Sequence, residues 1–465
     1  MNRAFICAVM VFWAMPACSQ RWVNPAFEGH RLDLRDLGYP EVNQVPAHSS
    51  AITSLVAASN GRIYGGTSGQ EAYLFVYDPS INKVRHLGKL KGQPGIHHAL
   101  VEDRDGSIYA GSGLNLLRPL ELTKNIPNAR DSISNALWAD VRKPYRDYAG
   151  GHLYRYHPSS GDKQVLLADA PCPAEDLGVP IPNNGIYALA INPQTRAIYG
   201  ISYPDGHLFE YQIASKKFRD LGELHRKVVF HGPERDWRSL PRALVMGDSG
   251  KVYTSGEDGF LVYYDPALDK VQSTGLKIPG EYYPVQAYTG YPVVEYFAKD
   301  VMPQSPGVPG GISFSLSRVA VDNGPDKLKL IPQGYQHPPE TEALPKDQKG
   351  LIYGGSSDGY LFSFDPAAQK LVNLGKPRVS RRLRALTGGK DGRVYMIAGE
   401  RIEPCRLFSF DPQGGGFQDL GILAVDRSPY YSWRGYQFDA MVTGADGTIY
   451  VGESERRSHL FLYIP

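Results

Sequence analysis

Seven polar residues occupy the same point of a repeated pattern, each immediately before a short Ala-Leu-like segment. They are Thr53, His98, Tyr187, Arg242, Glu342, Arg384 and Asp439. Imidazole and phenol groups can take up and give back protons, and a guanidinium can grip a carboxylate through two parallel hydrogen bonds. The set therefore suits proton transfer on a substrate that carries a carboxylate. We predict His98 and Tyr187 as catalytic residues and Arg242, Glu342, Arg384 and Asp439 as substrate-binding residues.

The elements that would position these residues come from a seven-fold internal repeat. Each copy has a second strand that contains a β-branched residue followed by tyrosine, a pair suited to a packed pleated surface. The pairs are Ile63-Tyr64, Ile108-Tyr109, Ile198-Tyr199, Val252-Tyr253, Ile352-Tyr353, Val394-Tyr395 and Ile449-Tyr450. Turn dipeptides such as Asn60-Gly61 precede several of them, and Asp-Pro pairs such as Asp78-Pro79 end third strands. Each repeat is therefore predicted to be a four-stranded blade.

The two ends of the repeat array complement each other. The last copy stops at Pro465, where its third strand should end, and it lacks the fourth strand with its Leu-Gly ending. The segment Leu32–Gly38 has that ending and matches the outer strands that finish at Leu221-Gly222 and Leu420-Gly421. We therefore expect an all-β, seven-bladed β-propeller, closed by an N-terminal strand that completes the last blade.

Composition agrees with this fold and excludes some partners. The 465 residues include 50 Gly, 36 Pro and 30 Tyr, which indicates many short strands joined by turns. The 50 basic and 48 acidic side chains nearly cancel, and no long basic run occurs, so no nucleic-acid partner is expected.

The first residues predict export. Arg3 precedes an apolar stretch that is too short to span a bilayer and that ends in small residues, as in a signal peptide over residues 1–19. A lipoprotein signal that ends at residue 17, with a lipid on Cys18, is the alternative. Residues 20–465 then form one propeller domain in the periplasm or at the cell surface, without membrane insertion beyond such an anchor, and a monomer is expected.

The propeller topology gathers the seven polar residues at one mouth of the central channel. Their predecessors are mostly apolar, for example Ile52, Ile186 and Phe438, so strand alternation puts the two sets on opposite faces. Long loops over residues 111–151 and 280–339 reach the same face. Aromatic residues just before inner strands suit sugar faces, and Arg434 and Tyr436 are predicted as further substrate contacts. A polar channel wall that only holds water would use the same residue types.

The chain resembles the seven-bladed propellers of glycoside hydrolase family 145, which are α-L-rhamnosidases, and the related ulvan lyase families. The resemblance rests on the repeats, the export signal and the run His98, Tyr187, Arg242 in consecutive blades. For the lyases it implies that His98 and Tyr187 transfer protons and that Arg242 neutralises the uronate. Those lyases also use a second histidine in the loop after the first, and the stretch Gly111–Asn115 has none.

The resemblance to the rhamnosidases implies a different catalytic residue, His48, in the link before the first inner strand. The leading expectation is therefore an exo-acting α-L-rhamnosidase that removes rhamnose from glucuronic acid in acidic plant glycans such as arabinogalactan proteins. The alternatives are a uronate-directed polysaccharide lyase and a non-catalytic glycan-binding propeller. No metal-ligand spacing or cofactor motif occurs, although the channel could hold a structural ion. His152, His207 and His459 each begin a third strand and are predicted to be repeat-position residues.

Overall fold

The computed structural model describes most of the chain outside its N-terminal segment and the long loops. The described residues are 31–37, 45–114, 147–164, 166–167, 169–224, 228–229, 236–237, 241–256, 259–280, 318–320, 328–330, 341–344, 346, 350–378, 382–399, 404–427, 431–454 and 459–465. The predicted signal peptide over residues 1–19 lies outside them. No helix within the described ranges is long and apolar enough to cross a membrane.

Seven four-stranded antiparallel sheets form the blades, and in each blade the strands run in order from the inner edge to the outer edge. Blade 1 comprises Ala51–Ala57, Ile63–Ser68, Ala72–Asp78 and Lys83–Leu90. Blade 2 comprises Leu100–Glu102, Ile108–Gly111, Leu153–Tyr156 and Glu175–Asp176. Blade 3 comprises Gly185–Asn192, Ala197–Tyr203, His207–Gln212 and Lys217–Glu223. Blade 4 comprises Val245–Met246, Val252–Ser255, Phe260–Asp265 and Lys270–Lys277.

The remaining blades follow the same plan. Blade 5 comprises Thr341–Ala343, Ile352–Ser356, Leu361–Asp365 and Lys370–Gly375. Blade 6 comprises Leu383–Gly388, Val394–Ala398, Arg406–Asp411 and Gly416–Ile422. Blade 7 comprises Phe438–Thr443, Ile449–Glu453, His459–Ile464 and the N-terminal strand Arg31–Asp36. The predicted seven-bladed propeller is confirmed.

Short elements join or decorate the blades. In the described part of the chain, three hairpins lie outside the blades: Val228–Val229 with Asp236–Trp237, Arg318–Ala320 with Leu328–Leu330, and Ala424–Arg427 with Tyr431–Arg434. A 3-10 turn covers Ala47–Ser49, and a single helical turn covers Pro158–Gly161.

The N-terminal strand closes the ring as the repeat pattern predicts. It runs antiparallel to the third strand of blade 7, with Leu32 opposite Tyr463 and Asp36 opposite His459. Leu34 is buried in an apolar cluster that also contains Phe461. Backbone pairing and apolar packing together hold the last blade shut.

The tyrosine of each second strand belongs to the core. All seven are at least nine-tenths buried, and Tyr64 of blade 1 packs in one cluster with Ile108 and Tyr156 of blade 2. The core therefore consists of apolar layers between neighbouring blades, which explains why an aromatic residue recurs at this position.

The recurrent Leu-Gly ending also has a local cause. The backbone N–H of Gly222 donates to Asp220 Oδ1 at 2.9 Å, and that of Gly421 donates to Asp419 Oδ1 at 2.8 Å. Both glycines have positive φ, 95° and 98°, in the left-handed region that favours glycine. The outer strands therefore bulge where a side chain caps the backbone two residues on.

The histidines that begin third strands pair with acidic residues of the outer strands. His152 Nδ1 lies 2.8 Å from Asp176, and His207 Nδ1 lies 3.0 Å from Asp220. Arg406 makes the equivalent pair with Asp419 in blade 6. These contacts are a repeated cross-strand device, in agreement with the repeat-position interpretation.

In blade 7 this device extends to a buried glutamate. His459 Nε2 lies 3.7 Å from Asp36 of the closing strand, and its Nδ1 lies 2.7 Å from Glu453 Oε2. Trp433, from the hairpin before the inner strand, donates its indole N–H to Glu453 Oε2 at 2.9 Å. The group ties three separate chain segments together.

Candidate functional site

The seven polar residues predicted at the channel mouth are called the ring residues below. Irregular strand pairing positions most of their side chains. In blade 3 the ladder passes from Ile186 opposite Ser202 to Ala188 opposite Ile201, so Tyr187 is an extra residue with no opposite partner in the ladder. The same shift leaves out one residue in four other blades: Thr53, Glu342, Arg384 and Asp439. A bulge of this kind re-aims a side chain without breaking the sheet. The preceding residues Ile186 and Phe438 are buried, as predicted.

Blades 2 and 4 present their ring residues differently. Their inner strands begin later, at Leu100 and Val245, so His98 and Arg242 lie in the links that lead into them. His98 forms a parallel bridge with Ala188 of blade 3. The link of blade 2 is thereby fixed directly against the strand that carries Tyr187.

The central contact of the site joins blades 3 and 4. Arg242 donates its Nε–H to the Tyr187 hydroxyl oxygen at 2.9 Å. The Arg242 side chain is 24% exposed, so solvent reaches part of it. Tyr187 is mostly buried, with its hydroxyl held beside a permanent positive charge.

A second ion pair lies across the channel, between blades 6 and 7. Arg384 donates to Asp439 Oδ1 at 2.6 Å, and Arg242 Nη1 lies 3.6 Å from the same oxygen. Burial alone would raise the pKa of Asp439, but the guanidinium groups of Arg384 and Arg242 outweigh it and hold that pKa far below its usual range. Asp439 is therefore an anion between two cations.

Rings surround Tyr187 on several sides. His98 meets it edge-on, with ring centroids 6.2 Å apart, and Tyr203 lies 5.4 Å away. His97 also contacts Tyr187, but it is buried, and its Nε2 lies 2.7 Å from the Leu114 carbonyl oxygen. Burial lowers the pKa of His97 to about 4, partly offset by the Leu114 hydrogen bond, so its ring is neutral. These contacts give His97 a structural role in the packing around Tyr187.

Tyr203 was not singled out from the sequence. It ends the second strand of blade 3, four residues after the tyrosine of that strand, where blades 1, 5 and 7 have Ser68, Ser357 and Ser454. This departure from the repeat was the available signal.

Two ring positions differ from the rest. Thr53 is buried and uses its hydroxyl inside the protein, toward Ser68 Oγ at 2.9 Å and the Ile96 carbonyl oxygen. Its hydroxyl therefore connects blade 1 with the link that leads into blade 2. The side chain of Glu342 lies outside the described part of the chain.

The remaining predicted contacts lie around the ring. His48 is exposed within the 3-10 turn before blade 1, and its described contact is made by its carbonyl oxygen, which accepts the Gln70 N–H. No described hydrogen bond, ion pair or ring contact joins the His48 side chain to the ring. Arg434 is exposed at the end of its hairpin strand, and Tyr436 is half-buried.

Much of the predicted loop surface is not described. Most of the loop over residues 111–151, and the link over residues 280–339 apart from one short hairpin, lie outside the described ranges. Within those ranges no group of three His, Cys, Asp or Glu side chains could hold a metal ion.

The described arrangement can bind an anion and move protons. Arg242 offers a partly exposed cation, and the Tyr187 hydroxyl and the His98 imidazole near it are groups of the kind that can take up and give back protons. Arg384 and Asp439 lie behind them. The structure thus brings His98, Tyr187, Arg242, Arg384 and Asp439 together as the repeat pattern predicts.

Comparison with known proteins identifies the fold. No family model matches the chain, and no curated protein matches it. Among solved structures, virginiamycin B lyase from Staphylococcus aureus aligns with a TM-score of 0.51 and 8% identity over 94% of this chain and 99% of that chain. A streptogramin B lyase aligns with a TM-score of 0.52 and 9% identity over 93% of this chain and 98% of that chain. At such identities the likeness concerns the propeller fold alone.

Proposed function

We propose that the propeller binds a uronate-containing saccharide at the channel mouth and acts on it by acid–base chemistry, as a uronate-directed polysaccharide lyase. The observation that carries the proposal is the hydrogen bond from Arg242 Nε to Tyr187 Oη at 2.9 Å. It puts an accessible guanidinium and a proton-transfer group side by side, which elimination next to a carboxylate requires.

The proposed reaction is a β-elimination. With the carboxylate against Arg242, the negative charge that develops at carbon 5 and spreads into the carboxylate is stabilised. Tyr187 Oη takes the proton from carbon 5, a double bond forms between carbons 4 and 5, and the bond from carbon 4 to the leaving oxygen breaks. His98 gives a proton to that oxygen. One proton is taken up and one is released, so the products are an unsaturated uronate and a free hydroxyl.

The guanidinium beside Tyr187 has a second effect. A cation that donates to the phenol oxygen favours the form of that oxygen that accepts a proton. Arg242 therefore serves both the base and the substrate carboxylate, for which its planar fork is suited and a lysine would not be.

A second candidate is the exo-acting α-L-rhamnosidase implied by the family resemblance. The observation that favours it is the exposure of His48 on the link before blade 1, at the end of the propeller where the inner strands begin. An exposed imidazole there could act on a water molecule at a glycosidic bond. The substrate would be rhamnose linked to glucuronic acid, and Arg242 would then only bind the acid.

The deciding experiment analyses the products of the purified protein. It is incubated with a rhamnose-capped glucuronide and with a uronate-containing polysaccharide, and the new ends are identified by mass spectrometry. An unsaturated uronate supports elimination. Free rhamnose with a saturated uronate supports the rhamnosidase and overturns the lyase. Binding without either product leaves a non-catalytic glycan-binding propeller.

Variants test the site within the same assay. Tyr187→Phe should abolish elimination, because the base is lost while the ring stays in place. Tyr263→Phe is the matched control, since its hydroxyl contacts only Gln272 among its described partners, on the outer strand of blade 4. Full elimination by Tyr187→Phe would contradict the role of Tyr187.

A further inference from the structure

Four side chains follow one another across the channel mouth. Arg384 Nη2 donates to Asp439 Oδ1 at 2.6 Å, the same oxygen faces Arg242 Nη1 at 3.6 Å, and Arg242 Nε donates to Tyr187 Oη at 2.9 Å. The series crosses from blade 6 through blades 7 and 4 to blade 3. Arg384 at one end of the series is therefore connected with Tyr187, the proposed proton-transfer group, at the other end.

The members differ sharply in exposure. The side chains of Arg384 and Asp439 are 9% and 2% exposed, whereas that of Arg242 is 24% exposed. A saccharide at the mouth can reach Arg242, but it has almost no access to the charged groups behind it. Direct binding of substrate by Arg384 and Asp439 is therefore a poor account of their positions.

Arg384 is held by the protein itself. Its Nε donates to the Phe438 carbonyl oxygen at 3.0 Å while Nη2 donates to Asp439, so two neighbouring donors of one planar group contact the carboxylate and the backbone next to it. Asp439 Oδ2 is buried and makes no hydrogen bond of ordinary geometry among the described residues. The guanidinium groups of Arg384 and Arg242 have the largest favourable effect on the carboxylate, and Ser454 and His98 add smaller ones.

We propose that Arg384 and Asp439 are positioning residues that hold the Arg242 guanidinium with its Nε–H directed at Tyr187. The proposal rests on the proposed function only for what Arg242 and Tyr187 then do to the substrate. It replaces the sequence-based expectation that Arg384 and Asp439 bind substrate themselves.

Electrostatics supports this role. Burial opposes ionisation of Asp439, yet the adjacent guanidinium groups hold its pKa below the usual range. Asp439 is therefore charged at neutral pH. Its attraction for Arg242 persists when the carboxylate of a substrate leaves.

The test measures the orientation of Arg242 without substrate. In protein labelled with ¹⁵N-arginine, the Nε–H resonance of Arg242 is the one that disappears in Arg242→Lys. We expect this resonance to move or broaden in Asp439→Asn. Because that change leaves Arg384 buried beside a neutral group and could prevent folding, the double variant Arg384→Met/Asp439→Leu serves as a second test.

Asp419→Asn is the matched control. Asp419 makes a similar pair with Arg406 on the outer strand of blade 6, far from the ring in the strand order. It should shift the Arg406 resonance and leave that of Arg242 unchanged.

Kinetics adds a second readout. Loss of the Arg384–Asp439 ion pair should lower kcat about a hundredfold, with a much smaller change in KM. This is the effect typical of displacing a catalytic group by about 1 Å. An unchanged Arg242 resonance in both test variants would overturn the positioning role, even if the wild type is active. If the wild type releases neither product, the proposed function fails. The Arg242 Nε–H resonance still decides whether Arg384 and Asp439 are positioning residues.

Discussion

Glu453 and His459 form a buried pair in blade 7, with the histidine Nδ1 2.7 Å from the glutamate Oε2. The glutamate is fully buried, and Trp433 of the neighbouring hairpin lies over the imidazole with ring centroids 4.4 Å apart. Burial lowers the pKa of His459, but hydrogen bonds and charges from Asp36 and Glu453 outweigh it and raise the pKa to about 9. The protonated imidazole is thus part of the closed ring.

This pair predicts a loss of stability in alkaline solution. The folded pKa is above the ordinary value of about 6.5, so the stabilisation is complete below about pH 6.5 and is lost as the pH rises through 9. Its upper limit is about 3.5 kcal/mol, at about 1.4 kcal/mol for each pKa unit. Urea unfolding at about pH 6.5 and about pH 10 should show a smaller difference in the free energy of unfolding for His459→Gln than for the wild type. His207→Gln, which alters a more exposed pair, should behave like the wild type, and equal losses in all three proteins would contradict the assignment.

The closing strand predicts a difference between two truncations. Internal deletion of Arg31–Gly38 removes the partner of His459–Ile464 and the buried side chains Leu34 and Leu37. Each leucine contributes roughly 1.5–3 kcal/mol, so unfolding should become easier by at least about 3 kcal/mol. Removal of Arg21–Gly29, which precedes the strand, should change little. Equal thermal midpoints for the two truncations would refute the importance of closure.

Arg242→Lys tests the carboxylate site. The charge stays, but the planar fork and the hydrogen bond to Tyr187 are lost. Affinity for a glucuronate-containing oligosaccharide, measured by calorimetry, should fall about tenfold or more, since a hydrogen bond to a charged group contributes about 1.5–3 kcal/mol. Arg406→Lys alters the pair with Asp419 on the outer face and should bind normally. Unchanged affinity of Arg242→Lys would make the ring a solvated channel wall.

Three variants separate the two candidate active sites. If the ring eliminates uronates, His98→Ala or Tyr187→Phe should abolish turnover, and His48→Gln should be nearly silent. If His48 is the proton-transfer residue of a rhamnosidase, His48→Gln should lower rhamnose release by at least about a hundredfold with the fold intact. Release of rhamnose and of unsaturated uronate is measured for each protein. Full activity in all three would exclude both assignments.

The sequence was sufficient to predict the fold and the convergence of the ring. Repeats determine which strand is innermost, and one polar residue per blade then falls at one end of the channel. The hydrogen bond between Arg242 and Tyr187 was not predictable. It depends on the rotamers of both side chains and on a bulge that the alternation of polar and apolar residues along a strand does not reveal. Glu453 and Tyr203 were missed, although each departs from the repeat. Glu453 stands three residues after the tyrosine of its second strand, where blades 1 and 5 have Thr67 and Ser356, and Tyr203 stands four residues after it, where they have Ser68 and Ser357. Departures from a repeat are thus as informative as the repeat itself.

The bulges at the inner strands have a consequence for how such a protein can change. An inserted residue such as Tyr187 lies outside the register of its ladder, so the pairing on either side does not depend on its identity. Its side chain can be exchanged for one of different chemistry while the blade keeps its hydrogen bonds and its apolar layers. The residues at the mouth of the channel can therefore change in evolution while the propeller that supports them stays the same. One scaffold can pass between catalysts and binders by single substitutions at such inserted positions.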